Sequence, residues 1–163
     1  MKKVITILLV VFTAFMFVAC SKSPKDMTFK EYIKTTDFSD FEYDSEHDVY
    51  IVSQDLNTAI SNENAIENFN DSIYDVVKSG VAIDKDVVFR GWDGSLPGAL
   101  IYYKSSTFTN IAKSSTAYNS VEIYKKSDGW QVTSKFGQYL SENDYANTSS
   151  TEEMLFELAM YSK

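Results

Sequence analysis

The spacing of apolar residues along the chain predicts one short and one long helix in its first half. Thr28 and Glu31 fit a capping box, in which each side chain bonds the backbone N–H of the other residue, so a helix should begin here and run to about Thr35. Apolar residues then recur at helical spacing between residues 61–62 and Gly80, a residue suited to the position just after a helix. The apolar positions of this longer helix are Ile66, Phe69, Ile73, Val76 and Val77.

Strand signals precede the long helix over residues 38–53, where apolar and acidic positions alternate. This period of two predicts a strand with one buried and one solvated face. A break at residues 44–47 would divide the stretch into a hairpin, of which Val49–Val52 is the strongest strand signal. The positions assigned to the buried face are Phe41, Tyr43, His47, Val49 and Ile51.

Further strands are predicted in the second half of the chain. Val87–Arg90 and Ala99–Lys104 are rich in β-branched, aromatic and other apolar residues, and the turn-prone residues 91–98 separate them. Residues 105–120 are rich in Ser and Thr, which leaves a loop and an edge strand as alternatives.

The last third of the chain predicts a hairpin and a closing helix. Val121–Lys125 and Trp130–Thr133 flank Asp128-Gly129, a dipeptide that favours tight hairpin turns. Helical spacing then returns over residues 151–161. The capping box and inner stripe of this helix comprise Ser150, Glu153, Leu155, Leu158 and Ala159.

These elements together predict a single α+β domain over residues 27–163. Helices and strands do not alternate strictly, which favours a mainly antiparallel β-sheet with flanking helices, and we expect the helices on one face of the sheet. A chain of this length buries about two thirds of the surface that it exposes when unfolded, which is enough for a core without disulfides. The pattern leaves the strand order open.

The N-terminus has the pattern of an export signal. Lys2 and Lys3 precede an apolar run, Val4–Ala19, which is a little shorter than the ~20 residues of a membrane-spanning helix. The run alone leaves an uncleaved membrane anchor as an alternative. However, Phe17–Cys20 resembles the lipobox of bacterial lipoproteins, in which a small residue precedes the Cys that becomes modified.

The lipobox resemblance implies a specific maturation. Residues 1–19 would be a lipoprotein signal peptide, cleaved between Ala19 and Cys20, and the Cys20 thiol would carry a diacylglyceryl group. Two acyl chains are enough for stable attachment to a membrane. Residues 20–26 would form a tether that reaches only about 20 Å when extended. The resemblance therefore implies a lipid-anchored protein on the extracytoplasmic face of the cell membrane.

Composition and charge exclude several classes of protein. The chain has 15 basic and 23 acidic residues, a formal net charge of -8, which argues against a nucleic-acid partner because that would need a basic face. Its apolar content of 44% is too high for intrinsic disorder. A single Cys and a single His exclude an internal disulfide and a metal site built from Cys or paired His residues.

Catalytic chemistry is sparse in the sequence. The sequence motifs of serine hydrolases, zinc proteases and phosphate-binding loops do not occur in it. We interpret His47 as a strand residue on the apolar face rather than as a base. Asp84 and Asp86 form one carboxylate pair that would suit glycan cleavage if the fold brought them together, and Asp93 with Asp128 forms another. We therefore assign no catalytic residue, no metal ligand and no cofactor.

Acidic residues are densest in the first predicted hairpin. We interpret them as a solvated strand face rather than a calcium site, because no Gly supplies the sharp bend of a calcium loop. The set comprises Asp37, Asp40, Glu42, Asp44, Glu46 and Asp48.

Aromatic residues are abundant in the second half of the chain. An exposed set of them would form a binding surface for a sugar or a protein partner, whereas a buried set would pack across strands. The candidate binding surface comprises Trp92, Tyr102, Tyr103 and Trp130.

Three function classes are compatible with these patterns. The first is a small acidic surface lipoprotein with a non-enzymatic binding module for a protein, peptide or glycan at the cell envelope, of which a protective or immunity-type lipoprotein is a subtype. The alternative is a carboxylate-based hydrolase acting on the envelope. A role in envelope assembly without a small ligand is the third.

Overall fold

The computed structural model describes residues 22–140, 146–147 and 156–157 of the chain. The predicted signal peptide, with Ala19 and Cys20, lies outside the described residues. Most of the predicted closing helix and its capping box also lie outside them.

Helices and strands of the described chain follow one another in a mixed order. They are α1 (Phe29–Ile33), β1 (Asp40–Asp44), β2 (Val49–Asp55), α2 (Asn62–Lys78), β3 (Asp86–Asp93), β4 (Leu96–Tyr103), α3 (Ser105–Lys113), β5 (Gly129–Val132), α4 (Ser134–Gly137) and β6 (Ala146–Asn147). Pro24–Asp26 and Ser120–Lys126 form short 3-10 helices, and Phe156 and Glu157 are helical.

The described strands form one sheet in which the spatial order follows the order along the chain, from β1 to β6. Neighbouring strands are antiparallel except for β2 and β3, which are parallel and are connected through α2. The prediction of a single α+β domain with a mainly antiparallel sheet and flanking helices is confirmed.

The two helices predicted from local signals form as expected. In α1, the Thr28 backbone N–H donates to Glu31 at 2.8 Å, and the Glu31 N–H donates to the Thr28 hydroxyl at 3.2 Å. In α2, the Ser61 hydroxyl caps the first turn by accepting from the Asn64 N–H. Gly80, just past the end of α2, has a φ of +80°, a conformation that glycine adopts without a steric cost.

Both faces of the sheet carry buried apolar residues. The face that we call the helix face packs against α1, α2 and α3 and includes Val52, Phe89 and Tyr103. The opposite face, which we call the second face, also has an apolar cluster. This cluster consists of Val49, Ile51, Val88, Leu100, Tyr102 and the helical residue Phe156. The expectation of helices on one face only is therefore wrong.

The hairpin of β1 and β2 forms, but the predicted alternation of its faces is wrong. Phe41 lies opposite Val52, and both pack on the helix face. Residues directly opposite each other share a face, so the register pairs odd positions of β1 with even positions of β2. Val49 and Ile51 consequently point to the second face, and His47 lies in the turn rather than on a strand.

The predicted turn over residues 91–98 is much shorter in the structure. β3 extends to Asp93 and β4 begins at Leu96, which leaves a two-residue turn. Gly94, the first residue of this turn, has a φ of +66°. Its conformational freedom lets the two strands connect within so few residues.

Residues 105–113 form the helix α3, where a loop or an edge strand was predicted. Two carboxylates that are distant from α3 in sequence cap its first turn. The Ser105 N–H donates to Asp86, and the Lys104 N–H donates to Asp128, both at 2.8 Å. Two residues of α3, Phe108 and Ile111, lie one turn apart and are buried. These tertiary contacts override the weak helix propensity of a Ser- and Thr-rich segment.

The predicted hairpin through Asp128-Gly129 does not form. Residues 120–126 are a 3-10 helix instead of a strand, and β5 pairs with β4. The buried Tyr103 hydroxyl donates to the Ile123 carbonyl at 2.7 Å, which holds this helix against the sheet. The β-prone residues of the segment are therefore used for burial on the helix face rather than for strand pairing.

Candidate ligand-binding cleft

A polar cleft of about 520 Å³ opens between α2 and the end of β2. Four of its lining residues are aspartates, and most of the others are amides or hydroxyls. The lining comprises Asp37, Ser39, Gln54, Asp55, Asn57, Ala65, Asn68, Asp71, Ser72 and Asp75.

Helix α2 supplies one wall of the cleft. Asn68, Asp71, Ser72 and Asp75 follow spacings of three and four residues, which places them on one side of a helix. The apolar stripe of the same helix is buried on the sheet, so this wall faces away from the core. The same helical period that buries the apolar residues of α2 therefore places its polar residues along this wall.

Strand β2 and the residues after it supply the opposite wall. Gln54 and Asp55 end the strand, and Asn57 follows Leu56, which is buried. The Leu56 N–H donates to the Trp92 carbonyl at 2.7 Å.

Leu56 fixes the wall by packing directly on bare backbone. A Cβ atom at Gly91 would lie only 2.8 Å from a Leu56 methyl carbon, and one at Gly98 only 2.7 Å from the other. Side chains at these two positions would clash with Leu56, the buried residue between Asp55 and Asn57, and would disturb its packing.

The carboxylates of the cleft have no ion-pair partners in the described chain. Asp37, Asp55, Asp71 and Asp75 form no salt bridge there, and none of the described lining residues is basic. Some carboxylates elsewhere, such as Asp93, do pair with a lysine. The cleft therefore concentrates negative charge, which attracts cations.

Two buried acceptor atoms in the cleft lack a hydrogen-bond partner. Gln54 is only 8% exposed, and its Oε1 atom has no donor; the same is true of the buried Oδ1 atom of Asp71. A buried acceptor without a donor costs free energy, so such atoms are uncommon in folded proteins. Both residues line the cleft, so a rotation of their side chains would present these acceptors to a ligand that carries N–H groups.

The candidate aromatic surface does not form. Tyr102, Tyr103 and Trp130 are 2%, 0% and 6% exposed, respectively. Tyr102 donates to Asp86, and Trp130 packs against Tyr124 with the ring centroids 5.2 Å apart. All three residues are therefore used for packing within the fold, which was the alternative interpretation.

Trp92, the fourth aromatic candidate, is partly exposed and covers a buried arginine. The Arg90 guanidinium carbon lies 4.3 Å from the Trp92 ring centroid, and Arg90 is 1% exposed on the second face. Its Nε donates to the Ser53 hydroxyl at 2.9 Å, and its NH2 group pairs with Glu42. The sequence alone did not indicate that Arg90 is buried and paired with Glu42.

The acidic set of the first hairpin is divided among several roles. Asp37 lines the cleft, and Glu42 pairs with Arg90. Asp44 accepts from the His47 backbone N–H, which lowers the pKa of that carboxyl. The interpretation as one uniform solvated face is therefore wrong for Glu42. Among the described residues, no cluster of three or more His, Cys, Asp or Glu side chains is arranged to hold a metal ion.

The two carboxylate pairs considered for glycan cleavage have other partners. Asp84 accepts from the Tyr50 hydroxyl, and Asp86 accepts from Tyr102 and caps α3. Asp93 pairs with Lys135, and Asp128 also caps α3. Each of these carboxylates therefore stabilises the fold.

Comparisons with known proteins give no relatives. No protein-family model, curated protein or solved structure matches the chain. Within the described part of the chain, no helix has both the length and the apolar character needed to cross a membrane.

Sequence reasoning missed most of the cleft. The sequence did contain one indication of the cleft, a polar repeat opposite the apolar stripe of a correctly predicted helix. This repeat comprises Asn68, Asp71, Ser72 and Asp75. No local pattern connected this repeat to Gln54 and its neighbours, which reach the cleft only through the packing of Leu56.

Proposed function

We propose that the protein is a lipid-anchored, non-enzymatic binding protein on the extracytoplasmic face of the cell membrane, and that its acidic cleft holds a positively charged ligand. The observation that carries this proposal is the cleft itself, which is lined by the buried Gln54, whose Oε1 atom has no donor, and by four aspartates that have no ion-pair partner among the described residues. Such an arrangement costs the fold free energy, because the carboxylates repel one another and the amide oxygen lacks a donor.

The anchor is tested by replacing Cys20 with Ala. In a bacterial host fed with radiolabelled fatty acid, we expect the wild-type chain to be labelled and to fractionate with the membrane. The Cys20→Ala chain should lose the label, because its side chain has no thiol to receive a diacylglyceryl group. Ser21→Ala is the matched control. Lipid labelling of the Cys20→Ala chain would contradict the anchor.

The binding role is tested by thermal melts of the full chain in neutral detergent with three classes of compound. Cationic compounds (spermidine and trilysine) should raise the melting temperature by about 5 °C at about ten times their dissociation constant, because they bind only the folded state. Neutral chitotetraose and anionic citrate should have no effect. The stabilisation should be lost in Asp55→Asn/Asp71→Asn and retained in Glu63→Gln, which removes a charge from α2 outside the cleft.

Two outcomes would contradict the binding proposal. One is stabilisation by the neutral glycan that does not depend on the cleft aspartates. The other is release of shorter sugars from chitotetraose, which would favour the envelope hydrolase instead.

A further inference from the structure

We propose that the ligand of the acidic cleft is a linear organic cation with two or more ammonium groups, of the polyamine class. This inference rests on the proposed function and specifies the ligand of the same site. The charge of the cleft, the spacing of its carboxylates, its hydrogen-bond acceptors and its volume each restrict the class of ligand that it can bind.

The charge of the cleft calls for a ligand with more than one positive charge. Four carboxylates line it, and none has an ion-pair partner among the described residues. A single ammonium group would leave most of this negative charge uncompensated. A chain of ammonium groups would place a positive charge against more than one of these carboxylates.

The spacing of the aspartates fits a linear amine. Asp71 and Asp75 are separated by one turn of α2, a rise of about 6 Å along the helix. Ammonium groups separated by three or four methylenes lie about 5–6 Å apart when the chain is extended. Successive ammonium groups can therefore meet successive carboxylates along this wall.

A compact metal ion fits the cleft less well. Calcium requires six to eight oxygen ligands that converge on one point. In the described residues, no three carboxylates are arranged in this way. The negative charge of the cleft is instead distributed along it, which favours an extended cation.

Gln54 supplies a specific contact in addition to the charge. Its Oε1 atom is buried in the lining and has no donor, and Asp71 Oδ1 is in the same state. An ammonium group is a strong N–H donor, and it would satisfy these two acceptors once their side chains turn toward the cleft that both residues line.

The volume of the cleft selects a small molecule over a protein segment. At about 520 Å³, it lies within the range of small-ligand sites. A lysine-rich peptide could place a side chain in it, but most of the peptide would lie outside. We therefore infer a free polyamine and treat the peptide as an alternative outcome of the test.

Calorimetric titration of the full chain in neutral detergent tests this inference. Spermidine should bind with a stoichiometry of one and should bind more tightly than Ca²⁺ or trilysine at equal ionic strength. Asp71→Asn and Gln54→Leu should each weaken spermidine binding about tenfold, since each removes a contact to a charged donor. Glu63→Gln should change the affinity less than twofold, and thermal melts of each variant check that it is folded.

Three results would overturn the polyamine assignment. These are tighter binding of trilysine than of spermidine, competition of Ca²⁺ with spermidine at matched ionic strength, and unchanged spermidine affinity in Gln54→Leu. If trilysine binds more tightly and Asp71→Asn weakens it, the polyamine assignment fails while the binding function stands. If neither cation binds, both proposals fail together.

Discussion

Replacing Glu42 with Gln is expected to lower the free energy of unfolding by about 3 kcal/mol, the range observed when one member of a buried ion pair is removed. Arg90 is 1% exposed and lies on the second face, where Glu42 pairs with its guanidinium. Loss of the carboxylate charge leaves the arginine charge less compensated in a site with little water. Urea unfolding of the full chain in neutral detergent, followed by tryptophan fluorescence, measures the difference.

Glu46→Gln is the matched control for this experiment. Glu46 is exposed in the turn of the same hairpin, so its substitution should cost less than about 0.5 kcal/mol. Combining Glu42→Gln with Arg90→Met should cost less than the sum of the two single changes, because removal of both charges leaves neither one uncompensated. A cost of Glu42→Gln no greater than that of Glu46→Gln would show that the pair contributes no stability.

Alkaline conditions are expected to destabilise the fold through Tyr103. Burial raises the pKa of the Tyr103 phenol well above its ordinary value of 10.0. Above pH 10 the unfolded chain therefore loses this proton, whereas the folded chain retains it. The free energy of unfolding should accordingly fall as pH rises above 10, by up to about 1.4 kcal/mol per pH unit from this one residue.

Tyr50 contributes to the same loss over a narrower range. Burial, with a hydrogen bond to Asp84, raises its pKa to about 12. Its stabilising contribution is complete below pH 10 and disappears between pH 10 and 12. The measurement is urea unfolding at a series of pH values from 8 to 12.

Tyr103→Phe separates the effect of this residue from general alkaline unfolding. The variant should lose about 1 kcal/mol at neutral pH, because the hydrogen bond to the Ile123 carbonyl is gone. Its stability should then decline less steeply than wild type above pH 10. Tyr139→Phe, at a position 41% exposed, should keep the wild-type slope. Parallel curves for wild type and Tyr103→Phe would contradict the assignment.

The parts of the fold that the sequence predicted correctly are those with local causes. The capping box of Thr28 and Glu31 and the apolar stripe of α2 lie within one or a few helical turns. Helix α3 was missed because its capping acceptors, Asp86 and Asp128, come from other segments. No pattern within residues 105–113 contains that information.

The candidate site shows the same division. Helical periodicity is enough to place Asp71 and Asp75 on one side of α2, whereas the approach of Gln54 depends on how Leu56 packs over Gly91 and Gly98. Residue type was also a poor guide to exposure. Three of the four aromatic residues suggested as a binding surface, Tyr102, Tyr103 and Trp130, instead fill a core that forms on both faces of the sheet.

The single parallel pairing in the sheet has a consequence for the rate of folding. The β1–β2 and β3–β4 hairpins close across short turns, so each can form quickly on its own. Their union requires Ser53 to meet Arg90, 37 positions along the chain, and closing that long loop costs more entropy. We therefore expect closure of the junction between β2 and β3 to be the slow step of folding, so that this one long-range pairing sets how fast the protein assembles.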